Sequence, residues 1–110
     1  MFYVYILHSQ KDGKLYIGYT DDLRKRIGKH QKGFVAATKH RRPLELIYYE
    51  AYKEESDAEQ REKYLKGGNG RSLLKIQLKD TFNKIGYKFV YPAQRGLNKQ
   101  LQNSPTLAVS

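Results

Sequence analysis

The 110-residue chain contains no cysteine, which excludes disulfides and thiolate-bound metal. It has no apolar run near the ~18 residues that a membrane span requires, so no membrane partner is expected. Its first residues lack the charged start and small-residue cleavage site of a signal peptide, and the expected location is the cytoplasm. Acid is absent from one long stretch. Between Leu23 and Leu44 there are eight basic residues and no Asp or Glu, whereas five of the eleven acids fall between Glu54 and Glu62. The net charge is +10. A one-sided basic field is the footprint of a phosphate-backbone binder, and Lys25, Lys29, Lys39, Arg41 and Arg42 are its candidate nucleic-acid contacts. A solvated charged surface or an acidic protein partner would show the same imbalance.

What is present reads as one small domain of mixed strands and helices. Phe2 to His8 is rich in aromatic and branched residues and predicts a strand. Lys11-Asp12-Gly13-Lys14 predicts a hairpin, with Lys14 to Tyr19 as the returning strand. A two-residue turn at Asp12-Gly13 would set Ser9 opposite Tyr16, Leu7 opposite Gly18 and Tyr5 opposite Thr20. Tyr5 and Tyr16 would then share a sheet face, with Gly18 leaving a gap between them. Thr20 is the expected cap of a helix reaching Lys32 or Gly33, followed by a basic loop to Pro43 and a third strand from Leu44 to Tyr52. Ser56 to Glu59 fits a capping box for a second helix ending near Lys66 at a glycine-rich stop. A third helix is predicted from Arg71 to about Phe82, and Tyr87 to Tyr91 could add a short strand. The expected division is a domain over 1–80 and a C-terminal extension over 81–110, partly disordered, with a polar tail from Ala93.

Four side chains converge in this scheme. Leu23, Ile27 and His30 form one helical stripe; taking ~100° per residue, Arg26 lies about 60° from its centre and neighbours His30. Arg26 is therefore better placed than Arg24 or Lys25 to turn towards the sheet, against the alternative of a snorkelling surface arginine. A lone histidine on such a stripe is more often a hydrogen-bonded core residue, and the lack of a second at helical spacing argues against zinc. In the second helix Ala58, Glu62 and Leu65 share a stripe, so Glu62 points where an apolar residue is expected. A carboxylate there needs a partner. It is either a structural ion pair, for example with Arg26 or Arg61, or a ligand for Mg²⁺, which needs only one or two carboxylates besides water and phosphate. Lys66 to Arg71 is a glycine-rich basic turn, but not the phosphate-binding G-x-x-x-x-G-K-[ST] pattern.

These residues together resemble the GIY-YIG nuclease family, in particular its small single-domain bacterial members. Tyr3-Val4-Tyr5 stands where the family has Gly-Ile-Tyr, and Tyr16-Ile17-Gly18 matches the second motif directly. Arg26 matches the family's catalytic arginine, His30 falls where members carry histidine or tyrosine, and Glu62 falls at the metal-binding glutamate. The first motif's glycine is replaced by Tyr3, which leaves Tyr5 in place. The resemblance implies an α+β fold, a small three-stranded antiparallel sheet flanked by helices. It also implies a metal-dependent endonuclease that hydrolyses DNA, with Mg²⁺ or another divalent cation such as Mn²⁺ on Glu62. Tyr5, Tyr16, Arg26 and His30 would be catalytic, with either tyrosine as the base. The expected substrate is DNA selected by structure (branched, nicked or single-stranded), in repair or recombination. The sequence leaves the oligomeric state open and is compatible with a partner protein. Two other readings compete: an inactive nucleic-acid-binding module on the same fold, and a basic interaction protein with an acidic partner.

Overall fold

The computed structural model describes residues 1–88. Three strands, β1 (Phe2–Ser9), β2 (Leu15–Thr20) and β3 (Leu44–Tyr52), form an antiparallel sheet in the order β2-β1-β3. Helix α1 (Leu23–Lys32) follows the hairpin, and α2 (Glu55–Lys66), α3 (Gly68–Gln77) and α4 (Lys79–Ile85) follow β3. The fold is α+β, as expected. Among the described residues no helix is long and apolar enough to cross a membrane.

β1 is central, with both edges paired, and helices pack on both of its faces, so its burial is almost continuous. Val4 and Ile6 point towards α2, α3 and α4, where they join Ile17, Ala58, Leu65, Leu74, Leu78 and Phe82. Tyr5 and Leu7 point the other way, against Leu44, Leu46, Tyr16 and the α1 residues Leu23 and Ile27. A bulge between Ile6 and Leu7 gives β3 one extra residue, since Leu7 pairs with Leu46 and Ile6 with Tyr48. Leu44 and Leu46 therefore face α1, while Ile47 and Tyr48 pack on the opposite core.

The hairpin register differs from the expected one by two residues: Tyr5 pairs with Gly18, and Leu7 with Tyr16. The turn is longer than Asp-Gly alone. Ser9 N–H donates to the Lys14 carbonyl at 2.9 Å, and Ser9 Oγ accepts from the Lys11 and Asp12 amides at 3.1 Å each. Asp12 Oδ1 takes the Lys14 amide at 2.8 Å, and Gly13 supplies a positive φ of 72°. A slip of two preserves the face of every side chain, so Tyr5 and Tyr16 still point the same way.

Three boundaries also differ. Asp22, not Thr20, caps α1: its Oδ1 accepts from Lys25 N at 3.1 Å, while Thr20 Oγ1 accepts from Asp22 N at 3.2 Å. The Ser56–Glu59 capping box does not form, because α2 begins two residues earlier behind Glu54, with no side-chain cap. The single predicted helix over Arg71–Phe82 is two helices, the first starting inside the glycine run. Gly70 is buried where any Cβ would overlap the Tyr64 carbonyl and the Leu65 backbone, so these glycines let α3 turn tightly against α2. Leu74, Leu78 and Phe82 all enter the core. Tyr87 and Lys88 are not strand; the rest of the expected Tyr87–Tyr91 strand and the tail lie outside the described residues.

Candidate active site

The register places Gly18 directly opposite Tyr5. A Cβ on Gly18 would lie 2.5 Å from the Tyr5 hydroxyl and 3.1 Å from the Tyr16 ring, so the two phenols occupy the room that a side chain would take. Tyr5 is fully buried and Tyr16 half-buried, their ring centroids 6.3 Å apart. His30 arrives from the last turn of α1, also fully buried, with its ring centroid 5.1 Å from Tyr16. The Tyr5 hydroxyl lies 2.8 Å from His30 Nε2, and His30 Nδ1 lies 2.7 Å from Thr38 Oγ1.

Arg26, half-buried one turn before His30, completes the cluster. Hydrogen bonding to Tyr5 raises its pKa, reinforced by Tyr16, so it is the arginine of α1 that turns inward. Burial pushes the Tyr5 phenol above its usual range, Arg26 opposes that shift, and Tyr16 adds to it. His30 is pushed down to about 4, first by burial and then by the Arg26 charge. It is therefore a neutral imidazole at physiological pH. The site thus holds one fixed cation and three groups with transferable protons, largely out of water.

Glu62 stands at the margin of this cluster, and its charge acts on both Tyr5 and Tyr19. It is not the buried anomaly that the stripe implied. Its side chain is 21% exposed and pairs with Lys66 Nζ at 3.2 Å, within its own helix. The structural pairings considered for it, with Arg26 or Arg61, do not form; Arg61 instead binds Glu50 at 2.9 Å. Among the described residues, no group of three or more His, Cys, Asp or Glu is arranged to hold a metal. The donor set is therefore one accessible hard carboxylate, which suits a dication that keeps most of its waters and takes phosphate oxygens. A neighbouring cleft of about 280 Å³ is lined by Arg26, Tyr19, Thr20, Asp21 and Glu55, and Tyr19 donates to Glu55 Oε2 at 2.5 Å.

The basic candidates divide into two groups. Lys25, Lys29 and Lys39 are exposed. Arg41 is tied down: its Nε donates to Asp12 Oδ2 at 2.7 Å and its Nη2 to the Leu15 carbonyl at 3.3 Å. Arg42 lies over Gly33 and donates to the Lys39 and Gln31 carbonyls at 3.1 and 3.5 Å. Both arginines therefore hold the loop after α1 in shape. Sequence reasoning missed Thr38, because its side chain sits in that loop, where no periodicity indicates a direction. It also missed the Tyr19–Glu55 contact, which joins residues far apart in the chain.

The chain is similar to known proteins over most of its length. The family described as the GIY-YIG catalytic domain matches residues 1–88. A UPF0213 protein of Staphylococcus saprophyticus is 44% identical over 75 residues, covering 67% of this chain and 90% of that protein. A UPF0213 protein of Clostridium perfringens is 45% identical over 67 residues, covering 60% of this chain and 71% of that protein. The solution NMR structure of a UPF0213 protein from Bacillus halodurans is 30% identical, with a TM-score of 0.47 over 84% of this chain and 100% of that chain. The motif tyrosines, Gly18, Arg26 and Glu62 all lie within the matched region: the chain belongs to the GIY-YIG nuclease family.

Proposed function

We propose that this protein is a divalent-metal-dependent endonuclease that hydrolyses DNA phosphodiester bonds, selecting its substrate by structure in DNA repair or recombination. The observation that carries the reading is the buried Tyr5–His30 contact beside Arg26, built over a glycine that no other residue could replace without displacing Tyr5. A packing role alone would not require a cation beside two buried polar rings.

The chemistry needs a proton acceptor for the attacking water, a positive group for the pentavalent phosphate, and a way to stabilise the leaving oxygen. Tyr5, once its phenol proton has passed to solvent, takes the proton from water as the water oxygen attacks phosphorus; the bond from phosphorus to the leaving deoxyribose oxygen breaks, and that oxygen is protonated from solvent. Arg26 places positive charge where the phosphate gains negative charge. Tyr16, sharing the face and less buried, orients water or phosphate. His30, neutral, hydrogen-bonds Tyr5. Glu62 would hold Mg²⁺ or Mn²⁺, which when bound supplies charge stabilisation to the phosphate and the leaving oxygen. Lys25, Lys29 and Lys39 would follow the flanking phosphates, so affinity should fall steeply with salt.

Incubating the pure protein with labelled flaps, forks, junctions, nicked duplex and single strands, with and without Mg²⁺, tests this reading. Metal-dependent cleavage supports it. Salt-sensitive binding with no product on any of these DNAs supports the inactive binding module instead.

A further inference from the structure

We propose that Phe34 is the side chain by which the protein selects interrupted DNA: its ring stacks on a nucleobase exposed at a nick, fork or end, while nearby lysines hold the phosphates. The inference deepens the proposed function by naming a determinant of substrate structure, and it rests on the DNA-binding part of that reading.

Phe34 is 72% exposed, the most exposed large apolar side chain among the described residues. A single apolar residue at a surface is ordinary, but the position of this one is not. It follows Gly33, whose φ of 81° ends α1. Gly33 N–H donates to the His30 carbonyl at 3.2 Å, and Phe34 N–H to the Lys29 carbonyl at 2.9 Å. In such a turn the residue after the glycine commonly folds back onto an apolar side chain five or six residues upstream. Those positions here are Lys29 and Gly28. A Cβ built on Gly28 would meet nothing within 4 Å, so the ring does not lie against it. Helix α1 therefore offers Phe34 no apolar seat.

The backbone beneath the ring is pinned. Val35 is buried, and its carbonyl accepts from the Thr38 and Lys39 amides at 3.1 and 2.9 Å. Thr38 is buried against His30, and Arg42 lies over Gly33. An apolar ring is thus held out into solvent, fastened to the turn of α1 that carries His30. A support already fixed has little ordering left to lose on binding.

Charge names the occupant. Phe34 lies inside the acid-free stretch from Leu23 to Leu44, and Lys29, Lys32 and Lys39 near it in sequence are exposed. An aromatic ring among cations matches a polyanion whose bases have stacking faces, and such stacking tolerates any base. In intact duplex each base face is covered by its neighbours, so a wedge must first unstack a step. At a nick, fork or end a face is free or the step already weakened. Phe34 therefore adds affinity where the helix is interrupted and little elsewhere.

Fluorescence anisotropy in EDTA, with labelled nicked, forked and intact duplexes of one length, reads this preference without cleavage. Wild type should bind the nicked and forked DNAs more tightly than intact duplex. Phe34→Ala should weaken binding to the interrupted DNAs about 5- to 150-fold, the range for one stacked base, and bring the affinity ratio towards one. Phe34→Trp should keep the ratio. A wild-type protein without the preference overturns the proposal, as does a folded Phe34→Ala protein with an unchanged ratio. If ultracentrifugation shows a wild-type dimer that Phe34→Ala splits, with the ratio unchanged, the ring belongs to a contact between two copies of the chain and the proposal also falls. A Phe34-dependent preference in a protein that cuts none of these DNAs with Mg²⁺ supports the stacking role while overturning the nuclease reading.

Discussion

Replacing Gly18 by alanine tests the packing of the site more sharply than removing any catalytic group, because two effects push in opposite directions. In a strand, alanine is favoured over glycine by about 0.5–1 kcal/mol through backbone entropy, so an uncrowded site would become more stable. In this fold the new Cβ would meet the Tyr5 hydroxyl at 2.5 Å, against an ordinary contact beginning at 3.4 Å. Tyr5 or the β2 backbone must yield by the difference, 3.4 − 2.5 = 0.9 Å. The phenol has no free space to take up, being fully buried and within 2.8 Å of His30. Overpacking of this kind costs about 1–3 kcal/mol, which should exceed the entropic gain. A displacement near 1 Å at a reacting group costs on the order of 10²-fold in rate. Urea unfolding should show Gly18→Ala to be net destabilised, and single-turnover cleavage should be about a hundredfold slower, with DNA affinity little changed. A Gly18→Ala protein as stable as wild type that cuts at the wild-type rate would refute the placement of Tyr5.

Glu50 offers a contrast outside the site. Its carboxylate accepts from Arg61 at 2.9 and 3.0 Å, from the Tyr48 hydroxyl at 2.5 Å and from the Tyr52 hydroxyl, joining β3 to α2. Glu50→Ala leaves these donors unpaired in a largely buried place and should cost about 2–4 kcal/mol in urea unfolding; cleavage per folded molecule should persist. His30 predicts an acid-sensitive fold. With a folded pKa of about 4 against 6.5 in the unfolded chain, the unfolded state binds the extra proton between these values. His30's contribution is thus intact above about pH 6.5 and is lost as pH falls towards 4, by up to about 3 kcal/mol. NMR titration should place its imidazole transition near 4, and a transition near 6.5 would contradict the burial argument.

Periodicity made much of this molecule legible from sequence. The strand Leu44–Tyr52 was read to the residue because Pro43 punctuates it, and α1 ends at Lys32, one of the two expected endpoints, with Gly33 behind it. The shared face of Tyr5 and Tyr16 survived an error in register because the slip was even. The error came from Ser9 and Asp12, whose side chains build a longer turn than Asp-Gly suggests. The glycine run after Lys66 was read as a stop when it is a corner, since only three-dimensional packing shows that Gly70 meets the Tyr64 carbonyl. Arg26 and His30 were found through the helical stripe. Thr38 was not, because a loop residue's partner depends on the path of the whole loop. The Glu62 stripe implied a buried carboxylate, whereas α2 leaves Glu62 at the margin of the cluster, partly exposed and paired with Lys66.

The claim that matters most is that Glu62 and Arg26 turn this basic fold into a nuclease. Single-turnover cleavage of labelled nicked and branched DNA by wild type, Glu62→Gln and Arg26→Ala, in Mg²⁺ and in EDTA, tests it directly. Wild type should cut only with metal, and each variant should be slower by on the order of 10²-fold or more while still binding DNA. Equal cleavage by all three proteins would contradict the account.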